Sequence, residues 1–367
     1  MPVWSSRNIR INMKIPKLKI GNITVEIPIV QGGMGVRVSL SSLASAVANA
    51  GGIGTLSSIG LGDFVESLSE YERISREALE REIRQVKKMT DGPVAVNFMG
   101  ALSNVNDLIV TAVAEGIKII VYGAGLPTAL PELVPDPAVN LVPIVSSARV
   151  AELILRVWDK RHGRIPDAFI LEGPLAGGHL GFSKEQLAQS QEFSLERLLP
   201  DLLEALKGYE DKYGRKIPVI AAGGIFDGRD IARMLSLGAA AVQMATRFVC
   251  TVECDVAAEF KQAYLDAKEE DIVIIDSPVG MPGRAIRNDF LKELEAKGKL
   301  TVNCPYRCLT ACKVDKAHYC IAKVLLNSYL GDVKNGLIFC GQNAHRIDKI
   351  VTVKELFAEL VAELQAL

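Results

Sequence analysis

Four shortages set the first limits on this chain. It has no run of about 20 apolar residues, so a helical membrane span is not expected. It has no surplus of positive charge: 42 Lys and Arg against 43 Asp and Glu leave a net charge of −1. With no basic run or arginine-rich helix either, nucleic acid is not an expected partner. The opening residues, Met1-Pro-Val-Trp-Ser-Ser-Arg-Asn-Ile-Arg10, lack the apolar core of a signal peptide, and a cytoplasmic location is the expectation. Residues 1–12 read as an extension ahead of a more convincing start at Met13. Finally, no GxGxxG fingerprint follows a first strand, which argues against a dinucleotide bound in the Rossmann manner.

What the chain does hold is material for a large core: 367 residues, 49% of them hydrophobic and 23% charged. Strand-like runs are expected at 27–31, 53–57, 94–98, 117–122, 140–145, 168–171, 217–222 and 240–245. Helical patterns fall between them at 40–50, 76–89, 104–114, 148–160, 195–212 and 228–237, and a last amphipathic one at 353–367. Continuous Val/Ile/Ala runs point to parallel strands covered on both faces. Eight βα units predict an α/β fold of the (β/α)8 TIM-barrel type, with a doubly wound sheet as the alternative. The rhythm stops after Val249. The expected organisation is therefore a barrel over 13–250, a small, mainly helical second domain over 251–340 that lies across the barrel mouth, and a return to the barrel over 341–367.

The most informative stretch is Glu172-Gly-Pro-Leu-Ala-Gly-Gly-His179-Leu-Gly181. A short apolar strand opens there into a glycine-rich mouth that offers one carboxylate and one imidazole. An imidazole titrates near neutrality, which makes His179 the candidate catalytic group. Further on, Ala222-Gly223-Gly224 and Gln243-Met-Ala-Thr246 end two successive strands. Two such strand-to-helix junctions supply converging backbone N–H groups, a cradle for phosphate.

A cysteine group, Cys304, Cys308, Cys312 and Cys320, has spacings of three, three and seven intervening residues. Four thiols so close are candidate ligands for zinc or an iron–sulfur cluster, although the spacing matches neither a zinc CxxC pair nor a common ferredoxin run. Buried structural thiols are the other reading.

Five motifs together resemble the nitronate monooxygenase (2-nitropropane dioxygenase-like) family and its relative, the FMN-dependent enoyl-acyl-carrier-protein reductase. They are Pro28-Ile-Val-Gln-Gly-Gly-Met34, Ala176-Gly-Gly-His-Leu-Gly181, Ala221-Ala-Gly-Gly-Ile-Phe-Asp-Gly228, Ala241-Val-Gln-Met-Ala-Thr-Arg-Phe248 and Ser277-Pro-Val-Gly-Met-Pro-Gly-Arg-Ala285. The resemblance implies bound FMN. Gln31, Gly32, Gly33 and Met34 would lie along the isoalloxazine ring and Asn97 would bond its edge. Gly177, Gly223, Gly224, Gln243, Met244, Ala245 and Thr246 would hold the ribityl phosphate, with Glu172, Gly178 and Gln342 completing the cofactor site. Ala245 stands where the family often has Gly, which requires φ < 0 there. Glu172 stands where nitronate monooxygenases often have Gln, whereas Glu and the 277–285 motif are features of the reductases.

The implied activity is FMN-dependent oxidation of a nitronate, a small-molecule substrate, with O2. The alternatives on the same barrel are reduction of an enoyl thioester or a quinone with NAD(P)H, and a flavin-binding protein without turnover. A homodimer is the candidate assembly.

Overall fold

The computed structural model describes residues 15–63, 67–302, 304 and 307–367. The extension expected over residues 1–12 lies outside the described residues. Eight strands, β1 (Ile29–Gln31), β2 (Gly54–Ser57), β3 (Val94–Met99), β4 (Ile119–Gly123), β5 (Asn140–Val145), β6 (Phe169–Glu172), β7 (Val219–Ala222) and β8 (Ala241–Met244), form one parallel sheet. They pair in sequence order, β8 pairs with β1, and a parallel bridge between Val30 and Ile53 joins β1 to β2. The sheet thus closes into the expected barrel. Each expected strand is present within about two residues of its place, because fully buried strands carry unbroken apolar runs.

The helices follow the same logic. Ser147 accepts a hydrogen bond from the Val150 amide and starts the helix Ala148–His162, and Gly163, at φ +58°, ends it. The helix Leu68–Met89 begins eight residues before the expected start at 76, because its opening turn is charged and shows no apolar periodicity until Tyr71 and Ala78.

Two features close the barrel's ends. A hairpin, Leu18–Ile20 with Ile23–Val25, was not expected from the sequence. Its Leu18, Ile20 and Val25 pack with Val30, Ile53, Ile119, Ile170 and Ile220 in one buried cluster, which plugs the amino-terminal end of the barrel. Only the carboxyl ends of the strands remain for a site, as is usual for this architecture. The helix Val353–Gln365 packs against both Gly228–Ser236 and Ser41–Asn49, so it takes the place of the eighth outer helix.

Everything between β8 and that helix is an insertion in the last βα unit. It holds the helices Ala258–Asp266, Asp289–Lys297 and Ile321–Tyr329. It also holds an antiparallel pair, β9 (Ile272–Asp276) and β10 (Pro282–Ile286), which the sequence reading treated as irregular. The strand β9 is half-buried along its length, so no inside–outside alternation marks it. A short strand, Gly178–His179, adds to β10 as a third member.

Candidate active site

A chamber of about 490 Å³ opens at the carboxyl ends of the barrel strands, beneath the insertion. Gly32, Gly33, Met34, Asn97, Glu172, Gly177, Gly178, His179, Gly223, Gly224, Gln243, Met244, Ala245 and Thr246 all line it. Most of the residues expected at the site therefore meet in one place.

Two do not. Gln31 is fully buried, and its amide is used inside the fold: Nε2 donates to Ser39 Oγ at 2.8 Å and Oε1 accepts from the Thr55 amide at 2.9 Å. It braces the loop after β1 and is not part of the chamber lining. Gln342 likewise stands outside the chamber wall, where its backbone N–H donates to the Leu175 carbonyl at 3.1 Å. Its neighbour Gly341 lines the chamber instead. Motif position signalled Gln31 and the resemblance alone implied Gln342, and neither reports which way a side chain turns.

The imidazole of His179 is held from the insertion. Gly283 of β10 is paired with His179, and Nε2 lies 2.7 Å from Ser277 Oγ. Phe339 meets the ring edge-on at 5.0 Å. The Val279 amide donates to Ser277 Oγ at 3.3 Å, and Tyr319, whose hydroxyl donates to the Asp276 carbonyl at 3.0 Å, also bonds Ser277, so the hydroxyl that meets the imidazole is held from several sides. Burial pulls the His179 pKa down to about 4, so the ring is neutral near pH 7. Ser277, Phe339 and Val279 were not among the expected site residues. The Ser277-to-Ala285 motif holds the first and third of these, and no motif marks Phe339.

Glu172 ends β6 on the chamber floor. Burial pushes its carboxyl up to about 8, and Arg284 offsets this only in part. The Arg284 guanidinium is itself committed to the Pro174 carbonyl, at 2.8 Å, and to that of Ala176. It pins the glycine-rich loop between β6 and His179 without neutralising the carboxylate directly.

The residues fit FMN. The side-chain amides of Asn97 and Gln243 face the chamber and have no hydrogen-bond partner among the described residues, as the polar edge of a flavin would require. The backbone N–H groups of Gly223, Gly224 and Ala245 are also unpaired among the described residues. Gly223 and Gly224 hold φ of +101° and +79°, and a Cβ on Gly223 would fall 2.9 Å from the Ala176 nitrogen, so the cradle admits no side chain there. Ala245 has φ −129°, which accommodates its methyl group. Thr246 Oγ1 accepts from the Gly341 amide at 2.9 Å and keeps its proton for an anion.

One expectation needs correction. The N-terminus of the helix Gly228–Ser236 is not part of the cradle: its first amides are taken by Asp227, Asp230 and Glu363. Three carboxylates there would repel a phosphate, which leaves the glycine turn before that helix as the donor.

The four cysteines are neighbours, since Cys304, Cys320 and Cys312 all act on Cys308 and help burial push its thiol up to about 12. Cys304, Cys308 and Cys312 are free thiols. Among the described residues no group of three or more His, Cys, Asp or Glu is set to hold a metal ion. The metal centre expected from their spacing finds no support in the geometry. His162, His318 and His345 each bond a nearby backbone carbonyl and stand outside the chamber wall.

The family model for nitronate monooxygenase matches residues 17–363. The chain belongs to the nitronate monooxygenase family. It is 32% identical over 274 residues to a (3aS,4S,5R,7aS)-5-hydroxy-7a-methyl-1-oxo-octahydro-1H-indene-4-carboxyl-CoA dehydrogenase of Mycobacterium tuberculosis, covering 75% of this chain and 67% of that one. It is 27% identical over 319 residues to a probable nitronate monooxygenase of Staphylococcus saprophyticus, covering 77% and 81%. The structure of FabK from Thermotoga maritima superposes with a TM-score of 0.71 at 29% identity, covering 93% of each chain. Membership of the nitronate monooxygenase family makes this protein an FMN-binding oxidoreductase. No helix among its described residues is long and apolar enough to cross a membrane.

Proposed function

We propose that this oxidoreductase acts on an acyl thioester, for which bound FMN would supply the redox chemistry while His179 handles a proton at the substrate α-carbon. The observation that carries this reading is the lack of a cation on the chamber wall among the described residues: neither Lys nor Arg lines it there, and His179 is neutral. A nitronate anion would enter without a counter-charge, whereas a neutral thioester needs none. Leu102, Leu309, Ile321 and Leu325 give the outer chamber an apolar wall suited to an acyl chain. The Glu172 carboxyl and the 277–285 motif, both reductase-like, support the same reading, as does the dehydrogenase relative whose name specifies a CoA thioester.

Bound FMN supplies the two-electron chemistry. The chain's own residues do the rest. Asn97 and Gln243 would orient the ring by its polar edge, and Gly223, Gly224, Ala245 and Thr246 would anchor the phosphate. A neutral imidazole can take a proton from carbon in the oxidising direction. In the reducing direction it passes one to carbon as the ring is reprotonated with solvent as the source, while Ser277 at Nε2 orients it. NAD(P)H is the reductant this scheme requires in the reducing direction.

A second reading, oxidation of a nitronate with O2, draws on the family model and the staphylococcal relative. One anaerobic experiment separates the two. The flavin band is followed while the holoprotein meets NADH, NADPH or ethyl nitronate alone, and the reduced protein is then offered a 2-enoyl-CoA. Bleaching by a nicotinamide and recovery with the enoyl thioester is the expected result. Bleaching by nitronate alone, with no response to the thioester, would overturn the proposal in favour of the second reading.

A further inference from the structure

We propose that a cationic groove on the outer side of the chamber wall receives the phosphorylated end of a coenzyme A thioester. This rests on the acyl-thioester reading and names the carrier. The groove, of about 1070 Å³, is lined by Lys299, Arg307 and Lys313 beside Thr301, Thr310 and Ser103, with Asp315 the one carboxylate on its wall among the described residues. Lys299 Nζ donates to the backbone carbonyl of Asp315, and none of the three cations forms an ion pair among the described residues. Elsewhere on the surface, Lys and Arg are commonly paired, as in Arg287–Glu295 and Lys297–Glu293 close by in sequence. Three cations against one carboxylate leave a net positive charge on one concave surface, which focuses a potential suited to phosphates.

The position of the groove decides what it can share with the active site. The segment Cys308-Leu309-Thr310 runs antiparallel to the loop after β3: the Ser103 amide donates to the Cys308 carbonyl at 3.1 Å, and the Thr310 amide to the Ala101 carbonyl at 2.9 Å. Cys308 lines the chamber, Thr310 lines the groove, and Leu309 lines both. A single backbone strand therefore divides the apolar flavin chamber from the cationic groove. A ligand that reaches across it must be apolar at its reacting end and polyanionic at its far end. An acyl-CoA has that distribution. A nicotinamide nucleotide carries the phosphates too, but its reacting end is a polar amide, so the thioester is the better match.

The test is a binding titration of FMN-loaded protein, which requires no turnover and therefore stands apart from the activity experiment above. The probes are butyryl-CoA, the butyryl thioester of N-acetylcysteamine (the same acyl group without phosphates) and NADP+. Wild-type protein is expected to bind butyryl-CoA at least tenfold more tightly than the truncated thioester, with the difference shrinking as salt rises. Arg307→Ala with Lys313→Ala should weaken butyryl-CoA at least tenfold, leave the truncated thioester unchanged and keep full flavin content. Arg307→Lys with Lys313→Arg should restore binding, which separates a charge requirement from a folding defect. Equal binding of butyryl-CoA by wild type and the double alanine variant would overturn the proposal. So would a loss confined to NADP+, which would assign the groove to the nicotinamide nucleotide.

Discussion

Ser277 Oγ stands 2.7 Å from His179 Nε2 across 98 positions of sequence. The barrel supplies the loop that carries the imidazole, and the insertion supplies the hydroxyl that orients it. His179→Ala is expected to retain FMN and lose turnover by about a hundredfold or more, the scale of a lost proton-transfer group. Ser277→Ala should cost less, roughly tenfold in kcat, and should alter the pH profile because the imidazole loses its hydrogen-bond partner at Nε2. Normal kcat in the histidine variant would remove it from the mechanism.

Glu172 gives the fold a pH dependence of definite sign. Its folded-state pKa is raised to about 8, so the protonated form favours the folded state. That stability is fully present below the ordinary carboxylate range and is lost as pH rises through about 8. Glu172→Gln should remove the loss. Thermal melts of flavin-free protein at pH 6 and pH 9 are expected to show a smaller fall in Tm for the variant, by about 2 °C or more. Parallel falls in both proteins would show that the carboxylate is solvated at the chamber floor.

The phosphate cradle can be tested by a single methyl group. Gly223→Ala places a Cβ against the Ala176 backbone in a φ region that L residues avoid, next to two unpaired amides. Flavin content after gel filtration should fall at least tenfold, and the flavin released from wild-type protein should chromatograph as FMN. Release of FAD would contradict the single-phosphate cradle.

The cysteine group is expected to behave as thiols. Burial and mutual repulsion raise Cys308, and Cys312 is raised too, so neither is poised as a thiolate. Iodoacetamide at pH 7 should modify Cys308 far more slowly than a free cysteine, and protein purified without oxygen should carry neither zinc nor iron in stoichiometric amount. One metal per chain would restore the ligand reading.

Barrel strands and glycine loops were legible because each is encoded by a local run: Val219–Ala222 is wholly buried, and Gly223 and Gly224 follow it directly. The hairpin at Leu18–Ile20 escaped notice because strands of three residues show too little alternation to register. Strand β9 escaped for the different reason that both its faces are half-covered. At the site, position along the chain predicted which residues gather at the mouth but not their direction. Gln31 and Gln243 sit at ends of neighbouring strands, yet one amide is consumed by Ser39 and Thr55 and the other faces the chamber. The Ser277 contact depends on a tertiary pairing that no short window of sequence contains.

The helix Val353–Gln365 has a consequence for how the molecule comes into being. Leu356, Phe357, Leu360 and Leu364 are almost wholly buried, against elements made more than a hundred residues earlier. Burying four such side chains contributes about 6–12 kcal/mol as an upper range, comparable to the whole stability of an ordinary domain. A ribosome-bound chain that has emitted all eight strands therefore still lacks the wedge that closes its outer ring. The barrel is expected to remain open to chaperones until synthesis passes Leu364, with the flavin cradle at the seam of β7 and β8 among the last parts to become rigid.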